Sequence, residues 1–203
     1  MKIIEKGKFR ATGSKKTSAL SQEQFEYVLG EFRRRDDLRM EILCLFMARC
    51  IRIGDVLNKI KIHSVYADSG EILPTVSFRE EKTGKGRTFH TEKSHELRTA
   101  LIKYYPRIKH ETKSNPLFYG SKTGLPLKDK GVRFLLSEFI GQAGIMQCSP
   151  HSFRKYGARS LWLRGVPIEI ISEILNHSNV RETRVYLDIK SSEVEKALLM
   201  LEV

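Results

Sequence analysis

A histidine and an arginine three residues apart, His151 and Arg154, are followed by a second histidine, His177, and nine residues later by Tyr186. Ser149-Pro150 in front of them reads as an N-cap followed by proline at the first helical position, so a helix opens there. His151 and Arg154 then share one face of its first turns. Phe153, Tyr156 and Leu163 turn towards the other face and are expected in the core. Cationic and polar groups beside a helix N-terminus make a ready site for a phosphate. Pro167 announces a second helix through Ile168, Ile170, Ile171, Ile174 and Leu175. Asn176 ends it, since asparagine tolerates the left-handed cap conformation, and His177 is then presented by a fixed corner. The segment 180–188, VRETRVYLD, brings Tyr186 back to the same region. A lone His-x-x-Arg is usually surface and a lone tyrosine usually half-buried core; the ordered set carries the information.

The elements that position these groups follow from periodicity and capping. Ser21-Gln22-Glu23-Gln24 is a capping box for a helix through Phe25, Val28, Leu29 and Phe32. After the polar break Arg35-Asp36-Asp37, the apolar stretch from Leu38 to Ala48 is expected to be the central buried helix. Arg52 then interrupts an otherwise buried neighbourhood, so it requires an anion, and Asp55 lies three residues on. Lys59 to Tyr66 and Ile72 to Phe78 read as two strands of a hairpin around Asp68-Ser69-Gly70. A third strand, Arg87 to Thr91, follows the turn Lys82-Thr83-Gly84-Lys85-Gly86. Further helices cover Ser94 to Ile108 and about Lys128 to Gln142, the latter burying Val132, Leu135, Leu136 and Phe139. A last one spans Ser191 to Leu201, with Val194, Ala197, Leu198 and Leu201 at helical spacing. The expected fold class is α+β, mainly α-helical with a small antiparallel three-stranded sheet.

A chain of 203 residues can bury one sizeable core. Residues 1–20 carry Lys2, Lys6, Lys8, Arg10, Lys15 and Lys16 against Glu5 alone, and read as a basic arm or linker in front of a domain over 21–203. A net charge of +12 and a pI near 9.7 favour a polyanionic partner. No apolar run is long enough to span a bilayer and no signal-peptide pattern is seen, so a cytoplasmic location without membrane partners is expected. Cys44, Cys50 and Cys148 are odd in number and form no CxxC pair, so neither a disulfide framework nor a zinc site is indicated. Acidic residues at metal-ligand spacing are also lacking, so no metal or other cofactor is expected, and cationic side chains would have to neutralise a phosphate instead.

The set His151-Ser152-Phe153-Arg154, Leu175-Asn176-His177 and Tyr186 resembles the C-terminal signature of the tyrosine recombinase, or phage-type integrase, family. That signature is HxxR, then leucine-glycine-histidine, then a nucleophilic tyrosine. Asn176 stands where the family usually has glycine, and both suit a left-handed cap. Cys50-Ile51-Arg52 with Asp55 is similar to the family's glycine-leucine-arginine and its acidic residue three later, cysteine replacing the glycine. The turn from Lys82 to Gly86 resembles the hairpin that delivers a catalytic lysine, with Lys82 as first choice and Lys85 as substitute. Pro116 to Tyr119 with Ser121-Lys122-Thr123-Gly124 resembles the connection into the next helix.

The resemblance, which covers about Ser21 to Asp188, implies a tyrosine recombinase catalytic domain and a division of labour. Tyr186 attacks a DNA phosphodiester and forms a covalent 3′-phosphotyrosyl intermediate. Arg52 and Arg154 clamp the non-bridging oxygens, His151 accepts a proton, Lys82 protonates the departing 5′ oxygen, and His177 hydrogen-bonds the phosphate or Tyr186. Lys15, Lys16, Lys85, Arg87, Lys122, Lys128 and Arg133 are expected to contact DNA. Relatives act as tetramers on two paired duplexes, so double-stranded DNA and further copies of this chain are the expected partners. The helical core-binding domain that relatives carry in front has no counterpart, as in a naturally short recombinase or the catalytic part of a longer integrase. Two other readings remain at this point: relaxation of DNA in the manner of a type IB topoisomerase, and a catalytically idle DNA-binding regulator.

Overall fold

Phe25, Val28, Leu29 and Phe32 recur at helical spacing, and in the computed structural model they form the buried stripe of α1 (Gln22–Arg34). The structure describes residues 17–120, 125–142, 149–189 and 198–199. The capping box at the start of α1 is reciprocal: Gln24 N–H donates to Ser21 Oγ at 3.1 Å and Ser21 N–H to Gln24 Oε1 at 2.9 Å. Asp36 turns the chain at φ 56°, and Asp37 caps α2 (Leu38–Met47). That helix is buried on nearly every side, which suits its almost wholly apolar sequence. Its one buried carboxylate, Glu41, is satisfied by Arg33 at 2.6 Å.

Around α2 pack α1, α5 (His95–Ile108) and α7 (Pro150–Leu163), and α1 also meets α7. Two short helices, α3 (Ile53–Asn58) and α4 (Ile62–Val65), lead from the end of α2 towards a two-stranded antiparallel sheet. Its strands are β1 (Thr75–Arg79) and β2 (Gly86–His90), in register Thr75 to His90 through Arg79 to Gly86. The helix α6 (Asp129–Gln142) closes one side, and α8 (Ile168–Leu175) and α9 (Val180–Leu187) complete the described fold. Large aromatics fill the main core, and the two buried tyrosines find partners: Tyr66 donates to Leu101 O at 2.9 Å and Tyr104 to Leu117 O at 3.0 Å. Phe25 stacks on Tyr156 at 4.1 Å and meets Phe153 edge-on, which fixes α7 against α1.

The sheet has two strands rather than the expected three. The stretch Lys59 to Tyr66 forms α4, flanked by single bridges of Lys61 to Pro116 and Tyr66 to Ile72. His63-Ser64 breaks the alternation there, and Ile62 and Val65 are both buried at a spacing of three, which fits a helical turn. The donors of Ile62 and His63 go to Asn115 O and Lys113 O. Leu163, expected in the core, is 70% exposed, because ten residues beyond Phe153 a helix has swung its side chains by roughly 80°. The segment 180–188 is the helix α9, capped by Asn179, whose side chain accepts from Glu182 N–H at 3.0 Å. The final helix expected over Ser191 to Leu201, Cys148 and most of the arm over 1–20 lie outside the described residues, apart from Leu198, Leu199 and residues 17–20.

Candidate active site

A second, smaller core cluster of Cys50, Ala158, Ile171, Leu175 and Leu187 joins α7, α8 and α9. The polar groups gather at the seam between this cluster and the main core. Ser149 caps α7 through a reciprocal box with Ser152, and Pro150 begins the helix. His151 is therefore held in the first turn, with Arg154 one turn further on. Asn176 ends α8 at φ 53°, the left-handed cap, and turns His177 back towards α7. From the other side Arg52 stands at the N-cap position of α3.

The C-terminus of α8 gathers the arginines. Leu175 O accepts from Arg154 Nη2 at 2.8 Å and from Arg52 Nη2 at 3.4 Å. Ile174 O accepts from Arg87 Nη1. Carbonyls at a helix C-terminus carry partial negative charge, so cations collect there. A single carboxylate, Glu80, with no side-chain exposure, accepts from Arg52 Nη1 at 2.6 Å and from Arg87 Nη1 at 3.2 Å. Arg52 and Arg87 share this one carboxylate, while Arg154 meets only a carbonyl. Arg154 is 2% exposed, and its Nε has no partner. Arg52, Lys82, Arg133, His151 and Arg154 line one cleft of about 430 Å³. Asp55 and Glu81 also line it. His151 also borders an adjoining cleft, of about 550 Å³, with Lys155, His177 and Tyr186.

Tyr186 lies between the two histidines, its ring centroid 5.0 Å from that of His151 and 5.2 Å from that of His177. The Arg154 guanidinium is 6.0 Å and the Lys155 ammonium 5.3 Å from the same ring. Its hydroxyl is buried without a hydrogen-bond partner. Burial drives the phenol pKa well above its ordinary value, opposed by the charges of Arg154 and Arg52. His151 is pushed down to about 4, first by loss of solvation and then by Arg154, Lys155, Arg52 and His177. His177 is lowered for the same leading reason, with Arg154 next. Its Nδ1 is fixed by the buried Thr183 hydroxyl at 2.9 Å. Neutral imidazoles beside a protonated phenol form a proton-accepting arrangement.

The structure thus brings Arg52, Lys82, His151, Arg154, His177 and Tyr186 to two adjoining clefts. Lys82, and not Lys85, is among the lining residues. Arg52 pairs with Glu80; Asp55, the sequence partner considered for it, instead accepts from Glu81 N–H at 2.8 Å. Arg87, expected to face DNA, points inward to Glu80, Ile174 O and Arg49 O. Lys85 and Lys128 are exposed, as is Arg133, which pairs with Asp129 at 2.9 Å. Lys15, Lys16 and Lys122 lie outside the described residues. Glu80 and Lys155 were not foreseen; Glu80 sits in the charged run Arg79 to Lys82, where nothing in sequence separates the buried residue from its exposed neighbours. Among the described residues no cluster of three His, Cys, Asp or Glu is placed to hold a metal ion.

Fold and site together define a domain of the tyrosine recombinase catalytic type: mainly helical, with a small antiparallel sheet, arginines and histidines converging on one tyrosine. The chain belongs to the phage integrase family, whose model matches residues 18–193. It is 29% identical over 170 residues to a tyrosine recombinase of Agathobacter rectalis, covering 83% of this chain and 53% of that protein. It is 27% identical over 184 residues to the tyrosine recombinase XerA of Pyrococcus furiosus, covering 89% of this chain and 60% of that one. In fold it matches the XerH site-specific recombinase solved on palindromic difH substrate as a post-cleavage complex, with TM-score 0.73, 19% identity, and coverage of 95% of this chain and 55% of that one. The chain therefore spans little more than half the length of these proteins.

Proposed function

We propose that this chain carries out the strand cleavage and rejoining of site-specific DNA recombination, through a covalent 3′-phosphotyrosyl intermediate. The observation that carries the reading is Tyr186, whose ring lies between two imidazoles and beside the Arg154 guanidinium and the Lys155 ammonium, and whose hydroxyl is buried without a partner. The fully buried tyrosines of the main core, Tyr66 and Tyr104, have their hydroxyls satisfied. The Tyr119 hydroxyl also lacks a partner, but among the described residues no histidine lies against its ring, and it is the two imidazoles that set Tyr186 apart. Arg52 and Arg154 offer their remaining N–H groups to the scissile phosphate, His151 accepts the phenol proton, and Lys82 protonates the leaving 5′ oxygen. His177 hydrogen-bonds the phosphate. The phosphotyrosyl ester keeps the bond energy of the phosphodiester, so the strand is resealed by the reverse displacement. Lys85, Lys128 and Arg133 contact flanking phosphates, together with Lys15, Lys16 and Lys122. Double-stranded DNA in the cytoplasm is the substrate, and four copies on two paired duplexes form the working assembly. Residues 21–203 act as the catalytic domain and 1–20 as a basic arm on DNA.

The test is a nicked substrate from which the cleaved 5′ strand diffuses away, so that the covalent species accumulates. Wild-type protein is expected to give an adduct stable to denaturation, and Tyr186→Phe to bind the same DNA without forming one. An adduct that persists in Tyr186→Phe removes Tyr186 from its role. Binding by the wild type with no adduct at all favours the idle DNA-binding regulator. Relaxation without exchange between two sites favours the topoisomerase.

A further inference from the structure

Glu80 has none of the roles assigned above, yet its carboxylate is the point at which four parts of the site meet. Its Oε2 accepts from Arg52 Nη1 at 2.6 Å and from the Thr83 hydroxyl at 2.8 Å, and its Oε1 from Arg87 Nη1 at 3.2 Å. The Asn176 side chain also hydrogen-bonds it. These donors come from the start of α3, the β1–β2 turn, β2 and the cap of α8. A carboxylate with no exposed surface is costly to bury unless paired. Here it opposes partial desolvation with these hydrogen bonds and the Arg52 charge, and its pKa is held below the ordinary value.

We propose that Glu80 is a positioning residue that locks the Lys82 turn onto Arg52, so that the proton donor and the phosphate clamp keep one register. This rests on the cleavage reading given above. Lys82 follows two residues after Glu80 and immediately precedes Thr83, so the turn that carries the lysine is anchored on both sides of it. A lysine side chain on an exposed turn has wide rotamer freedom. Fixing the backbone beneath it narrows the search for the leaving oxygen. Arg87 holds the other carboxylate oxygen and reaches Arg49 O at 2.9 Å, tying β2 to the same point. Asn176, where a glycine has no side chain to offer, adds the corner that presents His177.

A purely structural role and a positioning role separate in one experiment. Glu80→Gln keeps the shape but removes the charge. It is expected to slow single-turnover adduct formation by about ten- to a hundred-fold, the usual scale for misplacing a reacting group. DNA affinity should stay level or tighten, because a negative charge near phosphate is gone. On a substrate whose 5′ bridging oxygen is replaced by sulfur, most of that loss should disappear, since a thiolate leaves without needing a proton. Thr83→Val, which removes only the turn contact, should show a smaller loss with the same rescue by sulfur. Unchanged cleavage in Glu80→Gln overturns the proposal, as does a loss of equal size on both substrates or one that tracks DNA affinity. Should Glu80→Gln not fold, Thr83→Val with wild-type rates on the oxygen substrate overturns it equally. Absence of an adduct in the wild type is a different failure, which sinks the nucleophile reading and this one with it.

Discussion

Burial holds the Tyr186 phenol protonated, which works against the nucleophilic role proposed for it. The compensating feature is the pair of imidazoles against its ring, both kept neutral by poor solvation and nearby cations. An unperturbed histidine would be half protonated near pH 6.5; His151, pushed down to about 4, remains an acceptor throughout the physiological range. That has a consequence for stability. Between about pH 6.5 and 4 the unfolded chain takes up a proton at this position and the folded chain does not, so stability falls as pH drops through that window. His177 acts in the same direction. In DNA-free protein, the His151 ring followed by NMR should show no titration step near pH 6.5. His151→Gln should flatten the decline of melting temperature across the window. A normal titration midpoint for His151 contradicts this account.

At the level of elements, the site depends on how closely α7 lies against the end of α2. Gly157, one turn beyond Arg154, faces the Ala48 carbonyl so closely that a Cβ would sit 1.9 Å from its oxygen and 3.3 Å from Cys50 Sγ. Cys50 itself takes a left-handed conformation at φ 62°, two residues before Arg52. Gly157→Ala should therefore push α7 away from the segment that carries Arg52. The expected cost is about 1–3 kcal/mol or more, since the obstructing atom belongs to the backbone. In a chain of this size each kcal/mol lowers Tm by roughly 2–4 °C, which calorimetry can read, and adduct formation should fall with it. An unchanged Tm would show that the contact is not needed. What was legible in sequence divides along the same line. Local rules were enough for the capping box at Ser21, the N-cap at Ser149, the left-handed Asn176 and the order of His151, Arg154, His177 and Tyr186, because each is decided within a few residues. The run Lys59 to Tyr66 was misread because its donors are claimed by residues 113–115, far along the chain. Glu80 was missed for a similar reason: its partners Arg52 and Asn176 are brought to it by the tertiary fold alone. Thr183 and Leu187, both buried, lie four residues apart with Tyr186 between them, a helical spacing that was readable in VRETRVYLD.

For the molecule as a whole, the net charge of +12 divides into charge already spent within the protein and charge available to a polyanion. Arg87 is spent: its side chain is 10% exposed, with Glu80 and two carbonyls as partners. Arg133 borders the cleft with Lys82, Arg52 and Arg154, and Lys128 is exposed just before α6. Binding to a duplex releases counterions, so log K falls with log salt at a slope of about −0.9 per phosphate neutralised. With Arg52, Lys82, Lys85, Lys128, Arg133 and Arg154 engaged, affinity should drop on the order of a thousandfold between roughly 50 and 200 mM salt. Lys128→Ala and Arg133→Ala should each reduce the slope by about 1 and weaken binding alike on any sequence. Arg87→Met should leave the slope unchanged even where it lowers stability, because removing it exposes no phosphate. Fluorescence anisotropy on one short duplex across a salt series makes the comparison. A slope that falls for Arg87→Met but not for Arg133→Ala would mean that DNA approaches the β2 side of the molecule, and the cleft lined by Arg52 and His151 would no longer be the face that meets it.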